Sequence, residues 1–239
     1  MTTTPRRRLL LMRHGAVDYF DEQGRAHSPD DVMLTTLGES QARAAGELLR
    51  GLTIDRVITS GLARTRQTAQ IATDAAHLAT PHEHWQELRE IRGGRLSALA
   101  AVDLARAFTA AFSGPAALDT RFLGGESVGE LLDRILPAMQ RLLDDVQWDT
   151  ALLVLHGGVN RGLLSWFLTG QRLFLGGIEQ EAGCINVIDV PRDAPGALVR
   201  AINLSPLDWL HGASRLSTME RLLQKYHRLA AGEAERGSA

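Results

Sequence analysis

The chain is poor in everything that would cross-link it. Its single cysteine, Cys184, excludes an internal disulfide. No set of His, Cys, Asp and Glu has the spacing of a structural zinc site, and together these absences point to a reducing compartment and a cytoplasmic protein. Long apolar runs are missing too, since no stretch approaches the roughly 18 residues that a membrane span needs. Arg6-Arg7-Arg8 is followed only by Leu9 to Met12 before Arg13 intervenes, an apolar region too short for a secretory signal. Charge of one sign is not in excess. A formal net charge of −2 provides no general attraction to nucleic acid or to anionic membrane. A glycine-rich Walker-type phosphate loop, low-complexity tracts and solenoid repeats are also absent.

What is present is a chain of 239 residues, 44% hydrophobic and 23% charged, which fits a single domain, residues 1–239, with a sizeable core. Leu9 to Met12 reads as the buried centre of a strand, and Arg13-His14-Gly15 follows where the strand ends. Residues 16–32 are polar and irregular, a long loop. Thr36 and Glu39 have capping-box spacing ahead of Ala42, Ala45, Leu48 and Leu49, which predicts a helix ending at Gly51. Arg56 to Ser60 reads as a strand and Leu62 to Ala76 as a helix. Arg64 then lies in the first turn of that helix, where a cation is unfavourable unless an anion offsets it; an exposed arginine avoiding the field is the plainer explanation. His82 to Leu88 reads as an edge strand that leads to Glu90. His82 and His84 share a face of it without a third metal ligand.

Residues 96–112 read as helical within a cap insertion at about 95–125. Ser127 and Glu130 repeat the capping-box spacing before an amphipathic helix in which Pro137 predicts a kink. Ala151 to Leu155 followed by His156-Gly157-Gly158 and a helix from about 159 to 168 repeats the opening design. Two strands, Ile185 to Val190 and Ala197 to Ile202, form a hairpin-like pair. A last helix at about 217–230, capped by Ser217 and Glu220, precedes a frayed tail and can pack on the domain or on a second copy as a homodimer.

Strands alternating with helices predict a three-layer α/β/α sandwich with a mostly parallel central sheet. In that fold Arg13, His14, Arg64, Glu90 and His156 all reach the carboxyl edge, where ligands collect. With these residues come Leu34-Thr35 with Gly38 and Gln41-Ala42, Ser60-Gly61-Leu62-Ala63-Arg64 with Gln67-Thr68-Ala69, Leu88-Arg89-Glu90-Ile91 with Gly94, and Gly125-Glu126-Ser127. In this order the motifs resemble the histidine phosphatase superfamily, the phosphoglycerate mutase-like family.

The resemblance implies a metal-independent phosphomonoesterase without a cofactor, acting on a small phosphorylated metabolite, with no nucleic acid or membrane partner. His14 would be the nucleophile that forms a phosphohistidine, and Arg13, Arg64 and His156 the clamp on the phosphoryl oxygens, with help from the amide of Gly157. Glu90 would be the proton donor and then the base, which implies best activity at or below neutral pH. Two polar phosphate contacts common in mutases and in several sugar-phosphate phosphatases are replaced by Val17 and Phe20, and the aromatic-acidic-glycine pattern often found after the acid region is replaced by Arg95-Leu96-Ser97-Ala98; together these departures favour a divergent phosphatase over a phosphoglycerate mutase. A non-catalytic, protein-binding member is the remaining alternative, although all five core positions are filled. Arg95, Arg121, Phe20 and Phe122 are the candidates for recognising the leaving group.

Overall fold

A computed structural model describes residues 6–21, 23, 25–94, 104–192 and 196–236, with side chains through residue 229. The run Leu9 to Met12 is the buried centre of β1 (Arg6–Arg13). Its side chains divide between two apolar layers: Leu9 and Leu11 enter one cluster, Leu10 and Met12 the other. A strand covered on both faces needs no polar alternation, which is why it reads as an unbroken apolar run. Helices α1 (Thr36–Leu49) and α2 (Ala63–Ala76) supply Ala45, Leu49, Ala69, Ala72 and Ala76 to the second layer. Helices α4 (Val128–Asp144) and α5 (Gly157–Thr169) supply Leu131, Leu132, Ile135 and Leu163 to the first.

The remaining strands are β2 (Arg56–Thr59), β3 (His82–His84), β4 (Pro115–Ala116), β5 (Thr150–Leu155), β6 (Phe174–Leu175), β7 (Ile185–Pro191) and β8 (Leu198–Leu204). Five of them join β1 in one sheet, in the order β3-β2-β5-β1-β7-β8. Its β3 to β1 part is parallel, whereas β7 runs antiparallel to β1 and β8 antiparallel to β7. The fold is therefore the three-layer, mostly parallel α/β arrangement that the alternation implied. Register decides where the polar residues emerge. Arg13 pairs with Leu155 and Thr59 with Val154, so His14, Ser60 and His156 all leave the sheet at the carboxyl ends of three adjacent strands.

Three local expectations are corrected. The cap of α1 is Thr35, one residue before the expected Thr36, because its hydroxyl accepts from Gly38 N and also donates to Ala16 O. The expected strand at 82–88 stops at His84, and Gln86–Leu88 is a 3-10 turn. Strand β2 offers partners only from Val57 to Thr59, the last bond being from Trp85 N to Thr59 O, so nothing of it remains for residues 86–88 to pair with. Helix α4 contains Pro137 within one element, and its apolar face from Leu131 to Leu142 is buried. The last helix, α6 (Thr218–Arg236), has the predicted reciprocal cap between Ser217 and Glu220, but it extends through the tail that was expected to fray. Helix α3 (Leu104–Thr109) is the described part of the helix read at 96–112; residues 95–103 lie outside the described residues. Among the described residues no helix is long and apolar enough to cross a membrane.

The turn after β1 is held by two glycines meeting backbone to backbone. A Cβ added at Gly15 would lie 2.3 Å from Gly38 O, and one added at Gly38 would lie 2.2 Å from Ala16 O. Neither contact can relax by rotating a side chain. Gly38→Ala is expected to destabilise the chain by at least about 2 kcal/mol, measured as a lower urea midpoint at unchanged m-value.

Candidate active site

His14 ends β1 and is buried, 2% exposed. Its Nδ1 lies 2.8 Å from the carbonyl oxygen of Gly15. A carbonyl can only accept, so the proton sits on Nδ1 and the neutral ring keeps its lone pair on Nε2. The backbone beside it is held from several sides: Gly15 N donates to Thr68 Oγ1 at 3.0 Å, Ala16 N to Gln41 Oε1 at 2.8 Å, and Leu34 N to Gln67 Oε1 at 3.0 Å. These partners are the Gln and Thr of the motifs in α1 and α2. Their work is to fix the turn that aims His14.

His156 precedes α5 and its ring stands 5.2 Å from that of His14, edge to face. Its Nε2 pairs with Ser60 Oγ at 2.8 Å, while Nδ1 is buried without a hydrogen-bond partner. Both imidazoles are driven well below the usual histidine range. Burial is the largest cause for each, and the positive charges of Arg64 and Arg13 add to it.

Arg64 is not the exposed side chain of the plainer explanation. It is 2% exposed and donates from Nη1 to Pro29 O at 2.5 Å, with its Nε buried and without a partner. Arg13 repeats the pattern: Nη1 donates to Gln180 O at 2.5 Å, and Nε has no partner. A third arginine joins them. Arg161 on α5 is 2% exposed and donates from Nε to Gly176 O at 3.0 Å; its Nη2 lies 3.3 Å from a Glu179 oxygen without forming a hydrogen bond. A Cβ on Gly157 would lie 3.0 Å from Arg161 Nη1 and 3.5 Å from Arg13 Nε. Gly157 therefore sits at the first turn of α5 with both guanidinium groups close by.

Glu90 arrives from the loop after the 3-10 turn. Both carboxylate oxygens accept from Gly158 N, at 3.1 and 3.0 Å, and Oε1 also accepts from Ile91 N at 2.9 Å. Gly158 must be glycine for this approach, since a Cβ there would lie 2.5 Å from Glu90 Oε1. Cys184, beside Arg13 in space, is no alternative nucleophile: burial pushes its thiol up to about 12.

The five core residues thus meet at one edge, whereas the four specificity candidates do not join them as a group. Arg121 is 54% exposed and bonded to Gly125 O and Glu130. With Arg106 it lines a separate surface groove of about 400 Å³. Phe122 packs on Phe112 at 5.5 Å, at the margin of the core, and Phe20 is buried against Tyr226 of α6 at 5.7 Å. Arg95 lies outside the described residues. The sequence reading overlooked Arg161, Ser60 and the Gln180 carbonyl as neighbours of the core group. Only Arg161 left a signal, one helical turn beyond Gly157, and an arginine inside a helix is too common to single out.

The arrangement can hold a compact anion against a neutral imidazole. Three buried nitrogens without hydrogen-bond partners, Arg13 Nε, Arg64 Nε and His156 Nδ1, lie about His14, and the two arginines are anchored on backbone carbonyls, which leave their charge in place.

Comparison with known proteins matches this geometry. The family description "Histidine phosphatase superfamily (branch 1)" matches residues 9–203, which include all five core residues and end before α6. The chain is 35% identical over 153 residues to the protein named "Probable phosphoglycerate mutase GpmB" of Salmonella paratyphi A, covering 62% of this chain and 68% of that relative. Among solved structures, a mycobacterial glucosyl-3-phosphoglycerate phosphatase aligns with a TM-score of 0.65 at 21% identity, over 83% of this chain and 99% of that one. The alpha-ribazole phosphatase from Shigella flexneri aligns with a TM-score of 0.63 at 23% identity, over 82% and 96%. At these identities the two structures speak for the fold.

The depressed histidines make stability depend on pH. In the folded chain His14 and His156 stay neutral below the ordinary value of 6.5, whereas the unfolded chain takes up protons there. Their contribution is complete above about pH 6.5 and is lost as pH falls below it, by up to about 1.4 kcal/mol per pH unit for each ring. Urea unfolding in phosphate-free buffer is expected to show this slope between pH 6.5 and 5, and His156→Gln should remove about half of it.

Proposed function

The chain belongs to the histidine phosphatase superfamily, branch 1, and from that premise we propose that it is a metal-independent phosphomonoesterase acting on a small phosphorylated metabolite through a phosphohistidine at His14. The observation that carries this is the set of buried nitrogens without hydrogen-bond partners, Arg13 Nε, Arg64 Nε and His156 Nδ1, around a neutral imidazole. Leaving polar groups and charge buried in this way is unfavourable unless an anion meets them. Oxygens of a phosphoryl group fit that need.

In the proposed reaction the Nε2 lone pair of His14 attacks phosphorus in line as the ester P–O bond breaks. The arginines and His156 hold the equatorial oxygens, so fixed cations supply the charge stabilisation that the transition state requires. Glu90 delivers a proton to the departing oxygen. Water then attacks the phosphohistidine, Glu90 takes a proton from it, and the P–N electron pair returns to His14. Burying His14 beneath two arginines suits the first step, because the ring remains unprotonated and nucleophilic at pH values where an exposed histidine is already cationic.

The mutase name of the curated relatives favours a second reading, transfer between two hydroxyls of a phosphorylated hydroxy acid. Against it, Val17 and Phe20 stand where the resemblance implies polar phosphate contacts. Val17 is bridged to Leu34, and Phe20 is buried on Tyr226. A mutase would show isomerisation stimulated by a bisphosphate primer; hydrolysis without a primer is expected here.

The test is a panel of phosphorylated metabolites assayed with EDTA present. Hydrolysis should persist under chelation, and His14→Ala should lower it by about a thousandfold or more. Activity that survives the substitution, or disappears with the chelator, would sink the reading. After correction for the substrate's own second ionisation near about 6, kcat/KM should stay level as pH falls through 6.5. A decline centred there would mean that His14 titrates as an ordinary imidazole.

A further inference from the structure

Outside the anion-binding group, one side chain makes five hydrogen bonds around Glu90. Arg134 on α4 donates from Nε and Nη2 to the two oxygens of Glu126, at 2.7 and 2.9 Å. It also donates from Nη1 to Glu87 O and Arg89 O, at 2.7 and 2.6 Å, and from Nη2 to Glu90 O at 2.9 Å. Glu126, with a side chain only 3% exposed, grips the other flank: its Oε2 accepts from Arg92 N at 2.9 Å, and its own N–H donates to Arg92 O at 2.8 Å. Both sides of Glu90 are therefore tied to one bidentate ion pair.

The segment needs such a tie. Residues 89–94 belong to no helix or strand, so no sheet or helix ladder fixes their carbonyls. Only a planar guanidinium has enough donors in one fork to serve a carboxylate and three carbonyls at once. The backbone opposite leaves no slack. A Cβ on Gly94 would lie 2.4 Å from Leu123 O, and one on Gly125 would lie 2.3 Å from Arg92 O. Gly94 and the distant pair Gly125-Glu126 thus act together on one loop.

We propose that Arg134, seated on Glu126, is a positioning residue that holds the Glu90 carboxylate against Gly158 N and so governs the proton-transfer half of the reaction without touching the substrate. The inference rests on the phosphatase reading above, in which Glu90 is the acid. Its signature is dependence on the leaving group. An alkoxide must be protonated as it departs, whereas p-nitrophenolate spreads its charge into the ring and leaves without an acid.

The experiment compares the full-length wild type, Glu90→Gln, Arg134→Lys, Arg134→Gln and Glu126→Gln on glycerol phosphate and on p-nitrophenyl phosphate, using kcat/KM to follow the phosphorylation step. Both Arg134 variants are expected to lose about a hundredfold on glycerol phosphate and to stay within about threefold on p-nitrophenyl phosphate. Their affinity for inorganic phosphate, measured by calorimetry, should match the wild type because the cations around His14 are intact.

Equal losses on both esters, or full rescue by Arg134→Lys, which keeps the charge but not the fork, would overturn the proposal. If the Arg134 variants fail to fold, Glu126→Gln decides alone: it retains an acceptor for Arg92 N, and it should show a selective loss of about tenfold; no selective loss overturns the proposal. A wild type that hydrolyses neither ester would overturn the phosphatase reading and this inference with it. An active wild type with a selective Glu90→Gln defect, beside Arg134 variants without one, would overturn this inference only.

Discussion

The structure depends on positive charge that is buried and not neutralised. Arg13 and Arg64 are anchored on the carbonyl oxygens of Gln180 and Pro29, while Arg161, held on Gly176 O, also faces Glu179 at 3.3 Å. Elsewhere arginines meet carboxylates, as Arg8 does with Asp189 and Arg56 with Glu83. The difference is chemical. A carboxylate partner would cancel the charge, whereas a carbonyl fixes the geometry and leaves most of the field in place. That field, together with desolvation, keeps His14 and His156 neutral.

Holding charges together in this way requires a rigid frame. The frame is the carboxyl edge of the parallel strands, where β1, β2 and β5 release His14, Ser60 and His156 side by side. Around it, hydroxyl and amide side chains tie loops to helices: Thr35 to Ala16, Gln41 to Ala16, Gln67 to Leu34 and Thr68 to Gly15. The glycine contacts at Gly15 and Gly38, and at Gly94 and Gly125, let backbones approach more closely than any Cβ would permit. Each approach places a loop that carries a charged side chain.

Helix α6 adds something beyond the part of the chain that the family description covers. It is bound to the loop after His14 through Lys225 and Asp18, and to the 179–181 segment through Thr218 with Glu179 and Arg221 with Glu181. Tyr226 packs on both Phe20 and Phe108. One helix therefore braces three segments that border the site, including the one whose Gln180 carbonyl anchors Arg13.

Periodicity and punctuation were enough to read the layered fold and the strand ends at His14 and His156, because a buried parallel strand writes itself as an apolar run and its polar end as a break; Arg64 and Glu90 joined them only through the family resemblance. The capping box at Ser127 and Glu130 was legible for the same local reason. Where the structure departed, nonlocal partners decided. Residues 86–88 lacked a strand to pair with, and Thr35 was drawn into the cap by Ala16. Arg161, Arg134 and Glu126 were invisible as neighbours of the site because nothing in their local pattern separates them from ordinary helix and loop residues. Sequence alone determined which groups lie at the sheet edge, since that follows from chain-local hydrophobic pattern. Tertiary structure alone decided which charges are buried without a counter-ion and which loop holds Glu90, since both depend on contacts between segments far apart in the chain.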